Sequence, residues 1–308
     1  MILPPALGYT EPNGSLDTLA ALQIRLRDQQ ETALVQVWVN EARRVLYVYA
    51  HGILVGSYAL GEGVSLPILQ ANLSSYWNGQ NAAIQRVPVS GKVGRMAWLA
   101  LESSLQGRFD VGNEAEWKKL LEQWRGARFH GVAQIVSQGN LGYLFWEGGT
   151  PIAEESAWMG EPALESMLGR EPVSLTAFVP TPESNAWECL SLRRYTTKWI
   201  NGILTRFAQV AGARFAQIAS REILSQIQPW QWQISVENER LRDDHFFPRV
   251  AAATHAYRNI LMCLESQMEF VIGNTLTQRI LSEKYYELDG EERAMLASNR
   301  LIPAAFSQ

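Results

Sequence analysis

The chain has 308 residues, of which 47% are hydrophobic and 19% charged, and its formal net charge is −4. That composition excludes extended disorder and leaves apolar material for two or three packed modules, while the mild acidity excludes a global field that would hold nucleic acid. Two isolated cysteines (Cys189 and Cys263), a start (MILPPALGYTEPNG) without an export-signal pattern, and no apolar run of spanning length imply a cytoplasmic protein with no membrane span.

Residues 1–14, rich in proline and turn formers, read as an extended lead-in. From Ser15 to Asp28 apolar residues recur at helical spacing, and Ser15 is placed to cap the helix. The period then changes. Leu34–Val39, Arg44–Tyr49 and Ile53–Leu60 are rich in valine and aromatic residues and read as a strand meander, turning at residues 40–42 and at His51-Gly52. Gly61-Glu62-Gly63 closes the third strand, and a helix over Leu66–Trp77 and a strand over Ala82–Val89 complete a first α+β module.

A second copy comes next. At an offset of 97 positions Val35–Val39 falls on Val132–Val136, Leu46–Tyr49 on Tyr143–Trp146, Gly52 on Gly149 and Gly63 on Gly160. Glu114–Trp124 takes the place of the first helix, Pro162–Leu168 the second and Pro172–Val179 the closing strand, the pattern of a tandem duplication. Between the copies, Met96–Leu105 reads as a helix and Gln106–Gly112 as a glycine-containing link.

Pro180 to Asn185 has linker composition, and the remainder of the chain is helical in pattern. Tyr195–Gln228 is one helical stretch stopped by Pro229, and Trp230, Trp232, Ile234 and Val236 alternate as in a strand. Arg249–Tyr286 spans roughly ten turns, long for a globular helix, so a kink at Gly273 or a partner helix is expected. A short helix after Leu288 ends the chain. The plan is an α+β fold: lead-in 1–14, first module with connecting helix 15–112, second module 113–182, and a mainly helical C-terminal domain 183–308 with a short strand segment.

The second copy carries Gly131 before its first strand, then Gly142-Tyr143-Leu144-Phe145-Trp146 followed by Glu147-Gly148-Gly149, and Gly160-Glu161-Pro162-Ala163-Leu164 at a helix start. In these features residues 114–180, and more faintly 15–90, resemble a bacterial family of unknown function that also supplies the N-terminal PATAN module of some response regulators. The resemblance implies a signalling or scaffolding module and carries no catalytic residues. The C-terminal third shows no such resemblance.

No motif for catalysis emerges. Gly91-Lys92 lacks the flanking residues of a phosphate loop, and Gly61-Glu62-Gly63 lacks the third glycine of a dinucleotide site. The four histidines, His51, His130, His245 and His255, have no metal-ligand spacing, and neither cysteine has a nearby activating partner. Asp243-Asp244-His245 is the most suggestive cluster, because a carboxylate can orient an imidazole; aspartates ahead of a helix also favour its dipole without any chemistry.

Eleven tryptophans are the unusual part of the composition. They serve packing first, since each ring buries a large apolar area. Trp230 and Trp232 are the leading interface candidates, with Trp146 and Trp158 beside them. The expectation is a non-catalytic bacterial regulatory or scaffold protein without cofactor or metal. It would act through protein–protein contacts with a partner of a regulatory system and form a homodimer through its C-terminal helices. A small-ligand sensor with a Trp-lined pocket is the alternative, and an enzyme with a site near Asp244, His245 and His255 ranks last.

Overall fold

The computed structural model describes residues 3, 8–39, 44–61, 65–68, 82–137, 140–159 and 172–302. They belong to two compact units, Met1–Ala186 and Trp187–Gln308. The expected turn at residues 40–42 and helix over Pro162–Leu168 lie outside the described residues.

The first unit contains β1 (Tyr9–Gly14), α1 (Leu16–Asp28), β2 (Ala33–Trp38), β3 (Arg44–Ala50), β4 (Ile53–Leu60), β5 (Ser65–Pro67) and β6 (Ala82–Pro88). It continues with α2 (Gly91–Leu101), β7 (Ser103–Val111), α3 (Glu114–Gly126), β8 (Gly131–Ser137), β9 (Asn140–Glu147), β10 (Thr150–Met159) and β11 (Val173–Pro180). The strands form two antiparallel sheets, ordered β1-β6-β2-β3-β4-β5 and β10-β9-β8-β11-β7. Read from opposite ends, the five strands of the second sheet match the order β1-β6-β2-β3-β4 of the first, and β5 is an addition at the first sheet's edge among the described residues.

The caps make the likeness specific. Ser15 accepts the Thr18 N–H at the start of α1, and Asn113 accepts that of Glu116 at the start of α3, 98 positions on. After each helix a residue with positive φ, Gln30 or Arg128, turns the chain into its strand. The next amide closes back on the helix: Glu31 N–H to Leu26 O, and Phe129 N–H to Trp124 O, both 2.9 Å. Across the β2–β3 connection the offset drops to 97, because Trp38 pairs with Arg44 whereas Val136 pairs with Leu141. A uniform offset of 97 is therefore wrong for β2: Val35 matches Ala133 and Gln36 matches Gln134. The difference matters, since a one-residue slip exchanges the two faces of a strand.

Each sheet is covered on one face by its own helix. Leu19, Leu22 and Leu26 of α1 pack on Val35, Val37, Tyr47 and Tyr49, and Leu120 and Trp124 of α3 pack on Ala133, Ile135 and Trp146. The alternate residues, Leu34, Gln36, Leu46 and Val48 in one sheet and Val132, Gln134, Tyr143 and Phe145 in the other, are buried as well. Burial on both faces explains why these strands read as unbroken apolar runs. Helix α2 is buried at every position except Lys92 and Arg95 and packs on β3 of the first sheet and on β7 to β10 of the second.

Four local expectations need correction. The lead-in is not merely extended, since Tyr9–Gly14 is an edge strand on β6, a position that tolerates Pro12 because half of its backbone groups need no ladder partner. The helix expected at Met96–Leu105 starts at Gly91 and ends at Leu101. The supposed link after it lies in strand β7, paired with β11. At the start of the helix expected over Leu66–Trp77, Leu66 and Pro67 pair with Ala59 and Tyr58 as a short strand.

The second unit is built from α4 (Asn185–Ala211), α5 (Ala213–Ile227), the hairpin β12 (Ile234–Glu237) and β13 (Arg240–Asp243), α6 (Val250–Ile272), α7 (Asn274–Tyr286) and α8 (Gly290–Ser298). The single helix expected over Tyr195–Gln228 is interrupted at Gly212, whose φ of +94° is open only to glycine at low cost. Gly273 breaks the next long helix at the expected place.

Trp199 donates its indole N–H to Leu281 O (3.3 Å), tying α4 to α7, and Asn201 clamps the hairpin by accepting Leu241 N–H (2.6 Å) and donating to Leu241 O (3.3 Å). The broad apolar face of the long helical stretch, including Ala256, Ile260, Leu264, Met268 and Ile280, is already covered within this unit. That face therefore gives no reason for a homodimer.

Candidate aromatic interface

Alternation across residues 230–236 suggests a strand, but only Ile234–Glu237 is one. Helix α5 passes into a single 3-10 turn, Gln228–Trp230, with Pro229 inside it. Gln231 then adopts a left-handed conformation (φ 54°) and reverses the chain. This reversal brings Trp230 and Trp232 into a near-parallel stack, with centroids 5.6 Å apart and an interplanar angle of 14°.

His255, in the second turn of α6, presents its edge to both rings, at 5.7 Å from Trp230 and 6.4 Å from Trp232. Asn259, one turn later, donates to His255 Nε2 at 3.2 Å. Trp232 is anchored from beneath by Phe247 (6.0 Å, edge-on), which in turn contacts His245 (4.4 Å) and Tyr257 (6.0 Å). Trp230 remains 56% exposed on top of this stack. Beside it runs a groove of about 540 Å³ lined by Arg221, Leu224, Ser225, Gln228, Gln231 and Trp232 among others.

The other two tryptophans belong elsewhere. Trp146 is 1% exposed and packs edge-on against Trp124 at 5.0 Å, which removes it from any surface. Trp158 pairs across the strands with Gly142, and its ring occupies the space that a Cβ on Gly142 would take. It covers the second module's core and is a packing residue too.

The Asp243-Asp244-His245 cluster resolves into structural roles. Asp243 is buried, and its carboxylate accepts the His245 N–H (2.9 Å) and the Tyr257 O–H. Its backbone carbonyl accepts from Arg193 (3.1 Å). His245 is buried and takes the Gln233 N–H on Nδ1 (3.4 Å). Asp244 is exposed and contributes its backbone N–H to Gln233 O (2.9 Å). These bonds pin the hairpin to the start of α6.

Asp244, His245 and His255 are held in different roles: His255 belongs to the tryptophan stack, whereas His245 contacts Phe247 and the Gln233 N–H beneath it. Burial pushes the Cys189 thiol up to about 12 and raises that of Cys263, so neither is poised as a thiolate nucleophile. Among the described residues no cluster of His, Cys, Asp and Glu could hold a metal ion.

Sequence pattern does not single out Phe247 and Tyr257; the adjacent pair Phe246-Phe247 directly ahead of Pro248 is the signal that could have done so. Comparison with protein-family models, with curated proteins and with solved structures finds no match to this chain. The class of protein is therefore defined by its architecture, an α+β pair of duplicated meander modules joined in sequence to a helical unit. Among the described residues no helix is long and apolar enough to cross a membrane.

Proposed function

We propose that the chain is a non-catalytic regulatory or scaffold protein of a bacterial signalling system, and that a protein partner docks on the Trp230, Trp232 and His255 surface. The observation that carries this reading is the exposed Trp230 ring stacked on the half-buried Trp232. A large aromatic surface held in one conformation binds at low entropic cost, and such anchors dominate interfaces. The likeness of the two α+β modules to PATAN-type domains supports a signalling setting by association. The test is partner capture by the full chain and by its Trp230→Ala variant. A partner retained by both equally would count against this surface.

The groove beside Trp232 favours one second reading, a small-ligand sensor. A thermal shift with one member of a metabolite panel, abolished by Trp232→Ala in a variant that still folds, would support it over protein docking.

A further inference from the structure

Sheet edges offer unpaired backbone groups, and proteins blunt them with proline, bulges or short length. Among the described residues, three of the four sheet edges in the first unit are blunted in this way. β1 carries Pro12 and a register shift between Glu11 and Gly14. β5 has three residues and ends in Pro67. β10 has Pro151 near its start and a register shift between Ile152 and Ala157.

The fourth edge, β7, has a register shift too, between Leu105 and Gly107, but it lies near the start of the strand and leaves a longer regular stretch after it. From Gly107 to Val111 it pairs in unbroken register with Ala177 to Val173, contains no proline, and has no strand on its outer side among the described residues. The duplication sharpens the contrast. Thr10 in β1 occupies the place of Arg108 in β7, so Pro12 falls where β7 has Asp110.

We infer that β7 is an association edge whose partner is the same strand of a second copy, joining two five-stranded sheets into one of ten strands. The choice of occupant rests on charge. A two-fold axis perpendicular to the sheet sets one residue opposite itself and pairs the others symmetrically. With the axis at Phe109, Arg108 faces Asp110 of the second copy and Asp110 faces its Arg108, on the same side of the sheet.

With the axis moved to Arg108 or to Asp110, like charges face each other directly, which is destabilising. Both side chains are exposed and able to meet a partner across the edge. Asp110 Oδ1 also accepts the hydroxyl of Ser174 on the inner neighbour β11 (2.6 Å). Phe109 points to the opposite side, against Trp124 (5.8 Å). So short a contact gives weak, concentration-dependent association, and it is independent of the Trp230 surface.

The test is a charge exchange followed by sedimentation velocity over a concentration series. The wild-type chain forms dimers. Arg108→Asp and Asp110→Arg each weaken self-association by about tenfold or more, with thermal unfolding checked for each variant. Mixing the two variants restores dimers, because one then presents only aspartates and the other only arginines. A wild-type chain that stays monomeric to about 0.5 mM, single variants that dimerise like wild type, or a mixture that fails to recover would each overturn the inference.

Discussion

Gly52 and Gly149 hold the same place in the two modules. Each donates its N–H, at 2.8 Å, to the carbonyl of the residue that follows the left-handed turn after the module's helix, Glu31 in one case and Phe129 in the other. Each is also the second residue of a two-residue hairpin turn in which both φ angles are positive: His51-Gly52 (48° and 77°) and Gly148-Gly149 (57° and 83°). This geometry suits the right-handed twist of the flanking strands.

A Cβ on Gly52 would run into Arg27 Cα, and one on Gly149 would sit 2.7 Å from Arg125 Cα. Gly52→Ala and Gly149→Ala should therefore each destabilise the first unit by about 2–4 kcal/mol, combining steric overlap with positive φ. Urea unfolding of each variant measures this. A loss within error of zero would mean that the turn can shift away from its helix.

His51 supplies a pH dependence. Half-burial lowers its pKa from the ordinary value of 6.5, because the charged imidazole is desolvated. The unfolded chain then binds the proton more readily than the folded one. Stability is complete above pH 6.5 and declines as the pH falls through that value. His51→Asn keeps a residue that tolerates positive φ and removes this titration. Its unfolding midpoint should change less between about pH 7.5 and about pH 5 than that of the wild type.

Local pattern carried much of the first unit. Ser15 and the leucine spacing marked α1, valine and aromatic runs marked the meander, and paired glycines marked the hairpin ends. Strand β7 was hidden for two reasons. Gly107 looks like a link residue, and its partner β11 lies far along the chain, so no local periodicity announces the pairing. The offset is 98 in β2 and 97 beyond it, because the first module has one more residue in its β2–β3 connection, and the glycines and aromatic residues that reveal the repeat lie after that point. Trp146 and Trp230 look alike in sequence. Only the arrangement of α3 over the second sheet buries one, and only the reversal at Gln231 exposes the other.

The Tyr257 to Asp243 bond is the centre of the hairpin anchorage. Tyr257→Phe leaves a buried carboxylate oxygen short of its donor and should cost about 1–3 kcal/mol. Calorimetry on the full chain checks this. An unchanged transition would argue that Asp243 is held by its other partners alone.

The two classes of tryptophan should separate by stability. Trp146→Ala empties a core site and should cost about 3–5 kcal/mol. Trp230→Ala removes a ring that stands largely in solvent and should change stability by no more than about 1 kcal/mol. Parallel denaturation curves distinguish them.

The most direct test of the docking surface is quantitative capture from the native cell with three baits: the wild-type chain, Trp230→Ala, and Phe270→Ala as a control at another exposed ring, 89% accessible. The expected result is a partner held by the wild type and by Phe270→Ala but lost with Trp230→Ala, all three being equally folded. A partner that binds Trp230→Ala as well as it binds the wild type would contradict the account.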